Sequence, residues 1–260
     1  MMKTILLTGG TGALGKLLTP RLGQAGYAVR LMSRRSQPSP LAPGLSWAQA
    51  DLVTGQGVAA AVAGVDIIIH AASNPVKTQA TDLSGTERLL AAAQGTALEN
   101  FVYISIIGID KIPFSYYQAK LAIEEKLQAS HVPWSIVRAT QFHTLTDLFL
   151  GALARLPILP VPADFQMQTV DPGEVADAIV TQLQTEATGR WPSITGPAPM
   201  KVRAMVPPWL AARKLRRWVL PVRLPGKVAA GFRAGYTTGP AEIQGKVTWQ
   251  EWLEHTYPAA

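Results

Sequence analysis

The chain has 260 residues, 48% of them hydrophobic and 16% charged, enough apolar material for one large folded domain and too much for a disordered chain. It holds no cysteine, which excludes disulfides, thiolate metal sites and a cysteine nucleophile, and its four histidines (His70, His131, His143, His255) lack metal-ligand spacing. The net charge of +7 is concentrated: between Ala187 and Ala241 there are ten Lys/Arg and no Asp/Glu, while the rest of the chain is net −3.

Met1-Met2-Lys3 leads into a short apolar run and then glycines, which does not read as a secretory signal. No apolar run reaches transmembrane length, so a soluble cytoplasmic protein is expected. Thr4 to Thr8 is an apolar, partly β-branched run ending at glycine, as a buried parallel strand should be. Leu14 to Ala25 suits a helix, with Leu14, Leu17, Leu18 and Leu22 on one face and Gly26 as its stop. Tyr27 to Met32 reads as a second strand. Pro38, Pro40, Pro43 and Gly44 mark a loop, and a short strand from Leu45 to Gln49 leads to Asp51.

Further on, the pattern predicts a small helix over Val58 to Val62, a central strand over Val65 to Ala71 and a helix over Asp82 to Gln94. A strand over Phe101 to Ile106, a long helix over Tyr116 to Ser130 and a strand over Trp134 to Arg138 follow. Repeated strand–helix units predict an α/β fold with a doubly wound parallel sheet of the Rossmann type. After Thr140 prolines multiply. Pro172 to about Thr185 reads as a helix, with Asp171 as N-cap and Glu174 completing a capping box. Pro207 to Val219 and Thr248 to His255 read as two more helices. The expected division is a nucleotide-binding core over 1–145 and a small C-terminal substrate or lid lobe over 146–260, packed on that core as one structural domain.

The turn Thr8-Gly9-Gly10-Thr11-Gly12-Ala13-Leu14-Gly15 sits between the first strand and the first helix. That context makes Gly9-x-x-Gly12-x-x-Gly15 a dinucleotide-binding signature. Gly9 allows the tight turn, Gly12 lets backbone approach a pyrophosphate and Gly15 lets the helix pack on the strand. The helix N-terminus offers unpaired N–H groups and a positive dipole end to the phosphates. At the end of the second strand an acid would bind the ribose hydroxyls of NAD(H). Here stand Ser33, Arg34 and Arg35, which match a 2′-phosphate and favour NADP(H). Arg34 and Arg35 could instead be a solvated pair. Two readings are open for Asp51-Leu52: a carboxylate accepting from the adenine amino group with Leu52 on the ring, or a helix-capping Asp.

The turn, Asp51-Leu52, His70-Ala71-Ala72-Ser73, Val102-Tyr103-Ile104-Ser105, Tyr116-Tyr117-Gln118-Ala119-Lys120, Val137-Arg138-Ala139-Thr140-Gln141-Phe142 and Val170-Asp171-Pro172-x-Glu174-Val175-Ala176 together resemble the short-chain dehydrogenase/reductase superfamily. The resemblance is to its atypical branch near the NmrA-like proteins, and it spans nearly the whole chain. It implies an NADP(H)-dependent oxidoreductase, with Ala71, Ala72 and Ser73 beside the cofactor. Family enzymes carry a tyrosine four residues before a lysine on one helix, and Tyr116 and Lys120 share that spacing and a helix face. The lysine would bond the nicotinamide ribose and lower the tyrosine pKa. The tyrosine would exchange a proton with the substrate oxygen, and Ser105 would orient the substrate. Ile107, Gln141, Phe142 and His143, with Ser73, are the expected pocket wall. His70 would cap a strand near the cofactor without acting as a base.

The same family includes non-catalytic NADP(H) sensors and assembly factors, and a sugar-nucleotide epimerase would use the same three residues. The expected substrate is a small carbonyl, alcohol or activated double bond, handled by a monomer or homodimer. In the basic region, Trp209, Leu210, Leu215, Trp218 and Val219 interleave with Arg213, Lys214, Arg216 and Arg217. A lid helix packing Trp209 and Trp218 inward is one reading. Contact with an anionic membrane or partner through residues 201–233 is another, as is an entrance for an anionic substrate. No motif for sequence-specific nucleic-acid recognition is present.

Overall fold

The structure, a computed structural model, describes residues 2–38, 40–74, 78–185 and 188–258. In chain order the elements are β1 (Thr4–Thr8), α1 (Ala13–Gln24), β2 (Ala28–Ser33), β3 (Leu45–Gln49), α2 (Val58–Val62) and β4 (Ile67–His70). A π-helical turn (Gln79–Leu83) leads into α3 (Ser84–Ala93), followed by β5 (Asn100–Ile106), α4 (Ser115–Ala129), β6 (Trp134–Ala139) and α5 (His143–Leu153). Then come β7 (Ile158–Val161), β8 (Gln166–Met167), α6 (Pro172–Leu183), β9 (Gly189–Arg190), β10 (Ile194–Thr195) and β11 (Met200–Lys201). The chain ends through α7 (Val202–Ala212), β12 (Trp218–Pro221), α8 (Lys227–Arg233), β13 (Ile243–Gln244) and α9 (Trp249–Thr256).

These elements form two compact units of interleaved segments. The first comprises 1–105, 115–137 and 176–191. Its sheet runs in the order β3-β2-β1-β4-β5-β6-β9, and the registered pairs are parallel. The order 3-2-1-4-5-6 is that of the doubly wound Rossmann sheet. Its central strands are buried on both faces, as in Ile5, Leu6, Leu7, Ile68, Ile69, Phe101 and Val102, which is why they read as unbroken apolar runs. One layer of the core joins Leu6, Ile68, Phe101 and Tyr103 to Leu89 of α3 and to Ile123 and Leu127 of α4.

The second unit comprises 106–114, 138–175 and 192–260. Its core packs Leu150 of α5, Leu159 and Val161 of β7, Met205, Val206 and Trp209 of α7, and Trp249, Trp252 and Leu253 of α9. Asp171 caps α6 as expected, its Oδ1 accepting from the N–H groups of Gly173 (2.7 Å) and Glu174 (3.2 Å). Glu174 does not reach back to complete the box. Its Oε1 accepts from Lys246 N (2.6 Å) and Val247 N (3.2 Å), fixing the segment before α9. The reciprocal capping box lies at α9, between Thr248 and Glu251.

The helix expected over Pro207 to Val219 is corrected in two ways. It starts earlier, at Val202, and ends before Lys214, whose φ of 54° breaks it. Trp218 and Val219 belong instead to strand β12, paired in parallel with β7. The inward packing expected of both tryptophans holds for Trp209, which is fully buried and donates through Nε1 to Asp147 Oδ1 at 2.7 Å. Trp218 is 84% exposed. Among the described residues no helix is long and apolar enough to cross a membrane.

Candidate functional site

The topology places a switch point in the sheet of the first unit. The order of strand addition reverses between β1 and β4, which run side by side and parallel, Thr8 opposite His70. Ligands of doubly wound folds bind beyond the carboxyl ends of strands at such a switch point. The glycine turn follows β1 there, and Ala71-Ala72-Ser73 follows β4. Gly9 has φ +69°, and a Cβ on it would stand 2.7 Å from Ala72 N. A Cβ on Gly15 would overlap Gly9 O and Gly10 Cα. The bare turn thus lets two strand ends and a helix start converge. Gly12 caps α1 without any side chain on the helix's first N–H groups, and no acid occupies the first turn. Backbone donors at a dipole's positive end, with no side chain over them, fit a pyrophosphate.

At the end of β2, Ser33 Oγ accepts from Arg35 N at 3.2 Å. The carbonyls of Arg35 and Arg34 accept from Trp47 Nε1 (3.0 Å) and Gln49 Nε2 (3.3 Å), so β3 fixes this loop's backbone. Both arginine side chains are exposed, and neither has an ion-pair partner among the described residues. Asp51 Oδ1 accepts from Val53 N at 2.8 Å, an Asx-type turn that does not cap a helix. Leu52 is buried in the core, where its side chain fills the space left by Gly85. That inward packing runs against Leu52 as a platform for the adenine ring.

Beyond the turn lies a polar network around α4. Ser73 Oγ lies 2.9 Å from Tyr116 Oη and 2.5 Å from Asp82 Oδ1. A carboxylate can only accept, so Ser73 gives its proton to Asp82 and receives one from Tyr116. Asp82 Oδ2 also accepts from Asn74 N at 2.9 Å. Asp82 is 1% exposed and sits on the π-helical turn, which is wound wide enough to aim its side chain at the strand end. The spacing rules that found Tyr116 and Lys120 did not find Asp82. Its only signal was an acid just inside a helix that follows the Ala-Ala-Ser strand end.

Lys120 shares the helix face of Tyr116, with Nζ 5.6 Å from the Tyr116 ring centroid. It is buried and donates to Tyr103 Oη (3.2 Å) and Ile104 O (3.0 Å). Burial lowers its pKa to about 8, against the opposing pull of the Asp82 and Glu124 carboxylates. The expected lowering of the tyrosine pKa is corrected: burial pushes the Tyr116 phenol up to about 12. Ser105 is not brought to Tyr116 by a hydrogen bond. Its hydroxyl donates to Glu124 Oε1 at 2.5 Å, and Glu124, fully buried, also takes Arg190 at 3.2 Å. The serine bonded to the tyrosine is Ser73.

His70 ends β4 with Nδ1 2.7 Å from Thr8 Oγ1 and Nε2 3.1 Å from Thr86 Oγ1. Burial, aided by the Lys120 charge, lowers its pKa to about 3, so it is a neutral strut between β1, β4 and α3. Ile107, Gln141, Phe142 and His143 belong to the second unit. Ile107 N bonds Ala139 O at 3.0 Å, Gln141 is buried and Phe142 bridges Val170. His143 does not line a pocket. It is fully buried against Trp249 and Trp252, with Nδ1 2.8 Å from Thr169 Oγ1 and Nε2 3.1 Å from Val247 O.

Residues 9–186 match the NAD(P)H-binding family, and the chain belongs to it. A 3-beta-hydroxysteroid dehydrogenase from Mycolicibacterium neoaurum is 32% identical over 112 residues, covering 38% of this chain and 31% of that protein. A photosystem II assembly factor, Ycf39, from Trieres chinensis is 24% identical over 194 residues, covering 71% of this chain and 61% of that protein. The matches thus span about a third and about three-fifths of these relatives. An NADPH-dependent quinone oxidoreductase from Escherichia coli, solved with NADPH, shares the fold at a TM-score of 0.78 and 15% identity, over 97% of this chain and 99% of that one.

Proposed function

We propose that this protein is an NADP(H)-dependent reductase of a small carbonyl compound or activated double bond, with Tyr116 as the proton donor. The carrying observation is the chain Asp82–Ser73–Tyr116, with both hydrogen bonds at 2.9 Å or less, at the switch point of an NAD(P)H-binding sheet. Bound at the glycine turn, NADPH supplies the hydride. Gly9, Thr11, Gly12, Ala13, Leu14 and Gly15 would hold its pyrophosphate through backbone, while Ser33, Arg34 and Arg35 would hold the 2′-phosphate. Ala71 and Ala72 would line the other side.

The residues of α4 and the π-helical turn do the rest. Tyr116, its phenol at about 12, is neutral at pH 7 and carries the proton that the substrate oxygen receives as its carbon gains two electrons. Ser73, fixed by Asp82, sets where Oη stands. After transfer the phenolate lies beside Ser73 and near the Lys120 ammonium, which holds it until solvent returns the proton. In this assignment Lys120 acts through charge, since two of its three donors go to Tyr103 and Ile104.

Those same engagements favour a second reading. With Lys120 and Ser105 both occupied within the protein, the chain would bind the cofactor without turning it over, as a sensor or assembly factor. A screen of NADPH oxidation over carbonyl and quinone compounds separates the two. The reductase reading expects turnover that Tyr116→Phe lowers by about 100-fold or more, with NADPH affinity unchanged. Turnover unaffected by that change removes Tyr116 from the mechanism. No turnover across the panel, with tight NADPH binding, favours the second reading.

A further inference from the structure

We propose that the second unit docks on the anionic phospholipid surface of a bilayer, through an apolar face built by α5, β7 and β12. This inference is independent of the cofactor chemistry. Helix α5 (HTLTDLFLGAL) is apolar on both sides. Leu150 faces the core and is fully buried, while Leu145, Leu148 and Phe149 are exposed, Leu148 at 68%. Their spacing of three and four residues puts them on one stripe. A helix flanking a core ordinarily shows charge on that stripe. The charged residue of α5, Asp147, is instead taken by Trp209, Arg213 and Tyr257.

The stripe has neighbours of the same character. Leu156, exposed, joins α5 to β7. Leu159 and Val161 of β7 turn inward and are fully buried, and Ile158, of opposite parity, is exposed. Ile158 pairs in register with Trp218 of β12, so the two share a face, and Leu220 follows on that face two residues on. All four residues of β12 are exposed. Arg217 Nε donates to Ala154 O at 3.1 Å, tying the start of β12 to the end of α5.

Charge identifies the occupant. Arg155, Lys214, Arg216, Arg217 and Arg223 are exposed within or beside these segments. No Asp or Glu occurs between Asp147 and Asp164, or between Ala187 and Ala241. A second copy meeting this face by two-fold symmetry would set the basic cluster against itself. Exposed leucine, phenylalanine and tryptophan ringed by arginine match the boundary between lipid headgroups and acyl chains. Negative lipid headgroups answer the basic rim.

The test is co-sedimentation of the full chain with vesicles of phosphatidylcholine alone and of phosphatidylcholine containing phosphatidylglycerol. The expected result is binding to the anionic vesicles only, weakening with salt. Arg155→Gln, Arg216→Gln and Arg223→Gln combined should lower the partition about 100-fold, at roughly fivefold per charge. Leu148→Ser with Trp218→Ser should abolish binding while thermal melting shows the chain still folded. Brominated acyl chains should quench tryptophan emission in the parent and less in Trp218→Phe. Equal binding to both vesicle types, binding unmoved by Leu148→Ser with Trp218→Ser, or no vesicle binding overturns the proposal. In the last case, self-association or an acidic protein partner lost with those substitutions reassigns the face.

Discussion

Arg34 and Arg35 bear the choice between the two nicotinamide dinucleotides. Their backbone is held by Trp47 and Gln49, and their guanidinium groups are exposed, so truncation should leave the loop in place. Arg34→Ala with Arg35→Ala is expected to weaken NADPH by at least tenfold, a loss of about 1.4 kcal/mol or more, and NADH by much less. Titration calorimetry with both cofactors measures the difference, and equal losses remove the arginines from the 2′-phosphate site. His70 gives a residue-scale prediction about pH. In the unfolded chain it takes up a proton near pH 6.5, whereas burial holds the folded ring neutral down to about 3. Between those values the unfolded state binds more protons, so stability falls as pH falls, by on the order of 4–5 kcal/mol over the window. His143, also lowered by burial, acts in the same direction. Urea unfolding at pH 6.5 and at pH 4.5 should show the loss, and His70→Asn should flatten it. A slope unchanged by that substitution would assign the acid sensitivity elsewhere.

At the scale of elements, the turn between β1 and α1 is the most constrained feature. Gly15→Ala puts a methyl group onto Gly9 O and Gly10 Cα, so helix and turn must part. The expected cost is about 1–3 kcal/mol in stability together with a tenfold or greater loss of NADPH affinity. A variant binding NADPH as the parent does would show that the turn gives way without consequence. This element was legible from sequence because its glycines have a single steric job. The Rossmann strands were legible because burial on both faces leaves unbroken apolar runs. What escaped was set by tertiary partners. Trp218 and Val219 carry the alternation of neither helix nor strand, and they become a strand because β7 offers an edge. Glu174 fits a capping box by spacing, yet the backbone at Lys246 and Val247, more than seventy residues away, claims its carboxylate. Ser105 and Ser73 both stand at strand ends. Glu124, 19 residues from Ser105, and Asp82, 9 residues from Ser73, decide which of them reaches Tyr116.

At the scale of the molecule, the uneven charge seen at the outset acquires a place. The glycine turn, Arg34, Arg35, Asp82, Ser73, Tyr116 and Lys120 all lie in the first unit, and the apolar and basic docking face lies in the second. The two sets share no residue and no hydrogen bond described above. Substitutions without shared partners act additively, within about 0.5 kcal/mol. The two activities should therefore come apart in both directions. Leu148→Ser with Trp218→Ser is expected to leave the NADPH dissociation constant within about twofold of the parent, since 0.5 kcal/mol is a factor of about two. Arg34→Ala with Arg35→Ala is expected to leave partitioning to anionic vesicles nearly unchanged, because those arginines lie outside the docking face. Calorimetry in the absence of vesicles and sedimentation in the absence of NADPH measure the two properties separately. If either pair of substitutions lowers both properties tenfold while melting stays cooperative, the sites are coupled. Adding NADPH should then shift vesicle binding by the same factor by which vesicles shift NADPH affinity, because linkage between two binding sites is reciprocal.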